Sequence, residues 1–169
     1  MSQINVTATD NQINVTVGES RYYGSFYSTA DQTSLGANQV NKMTYNTTAF
    51  ANGVSIVSNT QITIANAGIY NIQFSAQLDK TDSGDDVVDI WFCKNGNLID
   101  YSNTQTTLVG NAGKHVAAWN IFVDAAAGDY YEICWTSSDA SVFLNAVAAQ
   151  SSPTRPAIPS VILTVNRVG

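Results

Sequence analysis

Four carboxylates crowd the segment Asp79-Lys80-Thr81-Asp82-Ser83-Gly84-Asp85-Asp86, the sharpest chemical feature of the chain. Carboxylate oxygens gathered around a glycine turn are hard ligands of the kind calcium takes, and Asp82, Asp85 and Asp86 are the candidate set. The spacing does not follow the twelve-residue calcium loop, however, and Asp and Gly are also what an exposed hairpin turn selects. The expectation is therefore a solvated turn and no cofactor, with calcium as the alternative. The paired Asp85 and Asp86 are the one arrangement that glycan cleavage could use. His115, the single histidine, lies in an apolar run, where a packed or hydrogen-bonded ring is expected rather than a general base. The sequence holds no Gly-x-Ser-x-Gly turn, no Cys-His pairing by pattern and no His-rich metal spacing, so an enzyme is not expected. Cys93 and Cys134 each sit inside an apolar strand-like run, which predicts two reduced, buried thiols and no disulfide framework.

These side chains must be positioned by strands. Gly68-Ile69-Tyr70-Asn71-Ile72-Gln73-Phe74-Ser75-Ala76-Gln77-Leu78 opens on a glycine and then alternates. Successive strand side chains point to opposite faces, so Tyr70, Ile72, Phe74, Ala76 and Leu78 face a core, and Asn71, Gln73, Ser75 and Gln77 make an uncharged outer stripe. Runs at Tyr22 to Ser28, Val54 to Val57, Gln61 to Ile64, Val87 to Lys94, His115 to Val123, Tyr130 to Thr136 and Ser160 to Val168 read as further strands, separated by Gly and Asn-Gly turns. The class is all-β, two packed sheets. All three prolines fall in Ser151 to Pro159, read as an extended connection that delivers the last strand. Ile-Asn-Val-Thr occurs at Ile4 to Thr7 and again at Ile13 to Thr16, so residues 1–20 form a β arm or hairpin ahead of one domain at 21–169.

Only 12% of residues are charged, against roughly 25% in ordinary globular chains. Asn, Thr, Ser and Gln fill the deficit, which suits a surface packed against copies of itself better than one facing water. A net charge of -6, with seven Lys and Arg in all, argues against nucleic acid, because phosphate binding rests on those cations. No apolar window is long enough to span a bilayer, and the N-terminus lacks the basic and apolar regions of a signal peptide. A soluble protein without a membrane partner, made in the cytoplasm, is the expectation. In His115 to Val123, Ala117, Trp119, Ile121 and Val123 share one face, with Val116, Ala118, Asn120 and Phe122 on the other. A strand apolar on both faces is buried on both faces, and in a two-layer sandwich the second cover must be a partner subunit.

Gly68-x-Tyr70-x-Ile72-x-Phe74, Lys94-Asn95-Gly96, Trp119-Asn120 and Gly128-Asp129-Tyr130-Tyr131-Glu132-Ile133, closed by a short apolar strand, resemble the jelly roll of the complement subcomponent q globular head and the tumour necrosis factor family. From about Tyr45 to Val168, including Arg155-Pro156-Ala157-Ile158-Pro159-Ser160, the chain is similar to the form of this domain in structural proteins of tailed bacteriophages, notably those of cyanobacteria. That resemblance implies a ten-stranded jelly-roll sandwich, homotrimeric and non-enzymatic. Asn71, Gln73, Ser75, Ala118, Asn120 and Phe122 would face the three-fold axis. Some complement-head relatives bind calcium near the trimer apex, which is the interest of Asp82, Asp85 and Asp86. The chain departs from the complement pattern in having no Gly-x-y stalk and no heptads. Without a shaft, the implied role is a decoration (cement) protein on the outer surface of a phage capsid, partnered by the major capsid protein and synthesised in the host cytoplasm. Ile4, Val6, Ile13 and Val15 would belong to an arm that adds a strand to a capsid edge, or to the first hairpin of the domain. The alternative is a receptor-binding or fibre-associated trimer that recognises surface glycan through Tyr22, Tyr23, Tyr101 or Tyr130.

Overall fold

A computed structural model describes residues 21–169 and, for the two N-terminal strands, the backbone. The described residues form strands and turns and no helix. In chain order the strands are β1 (Gln3–Thr9), β2 (Gln12–Gly18), β3 (Tyr23–Ser28), β4 (Gln32–Thr33), β5 (Asn41–Lys42), β6 (Thr47–Asn52), β7 (Val54–Val57), β8 (Gln61–Ile64) and β9 (Gly68–Lys80). There follow β10 (Asp86–Lys94), β11 (Asn97–Leu98), β12 (Thr104–Leu108), β13 (His115–Ala125), β14 (Tyr130–Ser137), β15 (Val142–Leu144), β16 (Gln150–Ser151), β17 (Thr154–Arg155) and β18 (Val161–Arg167).

Two antiparallel sheets face one another. One runs β6-β3-β18-β9-β13, extended at the far end of β9 by β15 and β4. The other runs β7-β8-β14-β10, with β11 and β12 sharing the far edge of β10 and β5 lying beside β14. Apart from β1 and β2, strands of four or more residues number ten (β3, β6, β7, β8, β9, β10, β12, β13, β14 and β18), as the resemblance implied. β1 and β2 pair in register as a two-stranded sheet of their own. The side chains of Ile4, Val6, Ile13 and Val15 lie outside the described residues.

The alternation of β9 does what the pleat requires. Tyr70, Ile72, Phe74, Ala76 and Leu78 are buried, and meet Ile90, Phe92, Ile133 and Trp135 from the opposite sheet in one apolar core. Phe74 is the hinge of this packing, edge-on to Phe92 at 6.0 Å and to Trp119 at 4.6 Å between ring centroids. The opening glycine is required: Gly68 has φ +151°, and a Cβ there would lie 2.6 Å from the Gly169 carbonyl oxygen. Tyr70 closes the same end of the core by donating its hydroxyl to the Asn66 carbonyl at 2.8 Å.

Two sequence expectations need correction. The proline segment does not run straight into the last strand; it folds back as the β16-β17 hairpin, above a bridge between Val147 and Ile158. His115 is exposed, not packed, because it is the first residue of β13, and β13 is an edge strand whose one neighbour is β9. The same edge position leaves Trp119 and Ile121 half-buried where Ala117 and Val123 are covered.

Candidate assembly surface

The outward face of the β9 sheet is assembled row by row from strand register. Phe122, Asn71, Asn166 and Tyr23 lie side by side across β13, β9, β18 and β3. The next row is Asn120, Gln73, Thr164 and Ser25, and the third is Ala118, Ser75, Ile162 and Tyr27. The six residues expected at a subunit contact are therefore three direct cross-strand pairs: Asn71 with Phe122, Gln73 with Asn120, and Ser75 with Ala118. None of the three rows contains a charged residue. The Asn120 side-chain amide donates to Asn71 Oδ1 at 2.8 Å, which holds the amides in a fixed ladder.

Large apolar groups stand open on this face. Phe122 is 61% exposed and Val116 52% at the β13 edge, with Ile162 at 40% in the middle. At the β6 edge Phe50 is 63% exposed and packs edge-on against Tyr23 at 6.0 Å. A face of this width and composition, uncharged and set with aromatics, has the character of the buried centre of a protein contact.

The carboxylate turn is built differently from its expectation. Asp82 and Asp86 come together with Asp139 from the loop after β14, their oxygens within 4.8 Å of one another. Asp85 is not part of the group: its Oδ1 accepts from the Gly110 amide at 2.8 Å, which turns it away. At the centre stands Lys80, its side chain fully buried, with Nζ 2.9 Å from Asp86 and 3.7 Å from Asp82, also donating to the Gly84 carbonyl. Ser138 donates to Asp86 at 2.9 Å and Ser141 to Asp82 at 2.7 Å. Burial pulls the Lys80 pKa down, but the Asp86 hydrogen bond and the charges of Asp86, Asp82 and Asp85 outweigh it, and the net shift is upward. A raised lysine pKa means that this stabilisation is present at neutral pH and is lost only as pH climbs through the alkaline range. The ammonium thus places one positive charge among the carboxylates of Asp82, Asp86 and Asp139. Lys80 lies within the motif in sequence, but nothing local marks it as pointing inward.

Lys80→Met is expected to lower Tm, since it leaves buried Asp86 without a counter-charge. It is also expected to make Tm respond to millimolar calcium by several degrees, with no response expected from the unaltered protein. Thermal scans with calcium and with chelator measure both.

The remaining candidates do not form one constellation. Asp79, buried at the end of β9, pairs with Lys114 and accepts from the Asn145 amide at 2.7 Å, in a shallow cleft that His115 also lines. Cys93 and Cys134 are free and their sulfurs stand 3.3 Å apart, a proximity that two separate apolar runs gave no means to foresee. Of the four tyrosines named for glycan stacking, Tyr22 lies against the Arg167 guanidinium at 5.6 Å and Tyr23 against Phe50. Tyr130 opens β14, half-buried, while Tyr101 projects wholly into solvent.

No family model matches the sequence, and no curated protein does. Among solved structures, murine APRIL aligns with a TM-score of 0.55 over 88% of this chain and 100% of that one, at 8% identity. The fold is a tumour-necrosis-factor-like jelly roll. In this jelly roll β9 is the longest strand and pairs with β13 along eleven residues, so the uncharged face rests on the most extensive pairing of the sandwich.

Proposed function

We propose that this chain is a non-enzymatic virion structural protein, a homotrimer that decorates and stabilises a phage head. The observation that carries the reading is the uncharged outer face of β13, β9, β18 and β3, with Phe122 at one edge and the Tyr23–Phe50 pair at the other. Two unlike patches on opposite edges suit a head-to-tail ring, in which the β13 edge of one copy meets the β6 edge of the next; a two-fold contact would need one self-complementary patch. Three copies turned inward cover Phe122, Val116 and Ile162 and let the amides of Asn71, Gln73 and Asn120 bond across the contact. The β1-β2 hairpin, a sheet separate from the sandwich, serves as the arm that adds strands to an edge of the major capsid protein. The role is mechanical: a trimer at a three-fold site ties neighbouring shell subunits together against internal DNA pressure. The reading includes no cofactor: the Lys80 ammonium already occupies the centre of the carboxylate turn, 2.9 Å from Asp86.

Tyr101, at the tip of its loop and fully exposed, is the observation that favours the second reading, a fibre-associated trimer that stacks host glycan. Electron microscopy of the parent virion with and without the protein decides between them. Density at capsid three-fold positions that vanishes with the protein, with shells that lose DNA on heating, is the expected result. Density confined to fibre ends, with intact heads and lost adsorption, overturns the decoration reading.

A further inference from the structure

On the outer side of the β10 sheet, away from the assembly face, lie the two cysteines. Cys93 is opposite Glu132, and Cys134 is opposite Trp91, so the thiols form a diagonal pair across β10 and β14 on the same face. Diagonal neighbours in an antiparallel pair ordinarily have Cα atoms about 7–8 Å apart, beyond the usual reach of a disulfide. Here the sulfurs are nonetheless 3.3 Å apart, so a closure of only about 1.2 Å separates contact from the ~2.05 Å of a bond. Cys93 is 6% exposed and Cys134 2%, and nothing bulky lies between them. We propose that Cys93 and Cys134 form a reversible staple between the two central strands of the β10 sheet, open in a reducing cell and closed by a hydroperoxide outside it.

The step balances with the hydroperoxide as oxidant. The more accessible Cys93 sulfur takes the terminal hydroxyl: an S–O bond forms, the O–O bond breaks, and the Cys93 proton leaves with the remaining oxygen fragment. The Cys134 sulfur then attacks the Cys93 sulfur; the S–S bond forms, the S–O bond breaks, and water departs with the Cys134 proton. Two thiols are oxidised by two electrons and one hydroperoxide is reduced. Burial pushes the Cys134 thiol up to about 12, with the Cys93 contact and the Glu132 charge adding to it and Lys42 opposing, so it attacks as the second sulfur and does so slowly.

The test treats the native full chain with hydrogen peroxide, then unfolds it in the presence of an alkylating reagent and weighs it. Expected is a loss of about 2 Da with no alkylation, a linked Cys93–Cys134 peptide after digestion, a higher Tm, and full reversal by a dithiol. The same treatment of urea-unfolded protein verifies that the oxidant is competent. Two alkylated cysteines in the native sample under conditions that oxidise the unfolded one, oxygen addition in place of hydrogen loss, or disulfides between chains would each overturn the proposal. In Cys134→Ser, Cys93 is expected to stop at the sulfenic acid, captured by a dione probe; absence of that adduct while the unaltered protein closes would reverse the assigned order of attack.

Discussion

Phe74→Ala will cost about 3–5 kcal/mol, a fifth or more of the stability of an ordinary domain. The ring is 1% exposed at the middle of β9 and meets Phe92 of the opposite sheet and Trp119 of the neighbouring strand, both edge-on. Alanine removes the transfer energy of the ring and leaves a void that cannot collapse, because rigid strands hold its walls on both sides. Urea unfolding at fixed protein concentration measures it, as a lower midpoint with an unchanged slope. The concentration is held fixed because association into the proposed trimer would contribute to apparent stability. A loss below ~1 kcal/mol would mean that the two sheets do not close on this ring.

For the trimer proposed above, the pair Gln73→Lys with Asn120→Lys will abolish assembly while leaving the subunit folded. These residues are direct cross-strand partners at the centre of the uncharged face, with their side chains in solvent in the single chain. Two ammonium groups there cost little in a monomer. Once covered by neighbouring copies, they would be buried without counter-charges, at several kcal/mol each. At 1.4 kcal/mol per decade, that is a fall in association of at least about a thousandfold. Sedimentation is expected to show a single-subunit species with an unchanged β circular dichroism spectrum. Thr81→Lys with Ser83→Lys, both on the exposed turn after β9, is the charge-matched control expected to leave the assembly intact. A double variant that sediments with the unaltered protein would place the contact on another surface.

Much of this molecule could be read from its residues because the relevant physics is local. Alternation along Gly68 to Leu78 is a property of a pleated chain with one buried face, and Tyr70, Ile72, Phe74, Ala76 and Leu78 are the buried set. The shortage of charge, and the second apolar face of His115 to Val123, likewise marked the surface that the fold leaves open. Short edge strands escaped notice for the converse reason. Thr47–Asn52 pairs through its backbone and is exposed at five of six positions, so no apolar pattern records it.

Tertiary structure alone decided which distant residues meet. The register of β13 on β9 set Asn120 beside Gln73, since a slip of one residue would have turned Trp119 outward. Asp139 reaches Asp82 and Asp86 across more than fifty residues, and Lys80 turns inward among them because strand β9 carries it past the end of the core. Cys93 and Cys134 are forty-one residues apart in the chain and share a face only because β10 and β14 pair as they do. Local patterning chooses which side of a strand faces the core, whereas contacts between strands follow from sheet order and register, which are settled by how the whole chain closes.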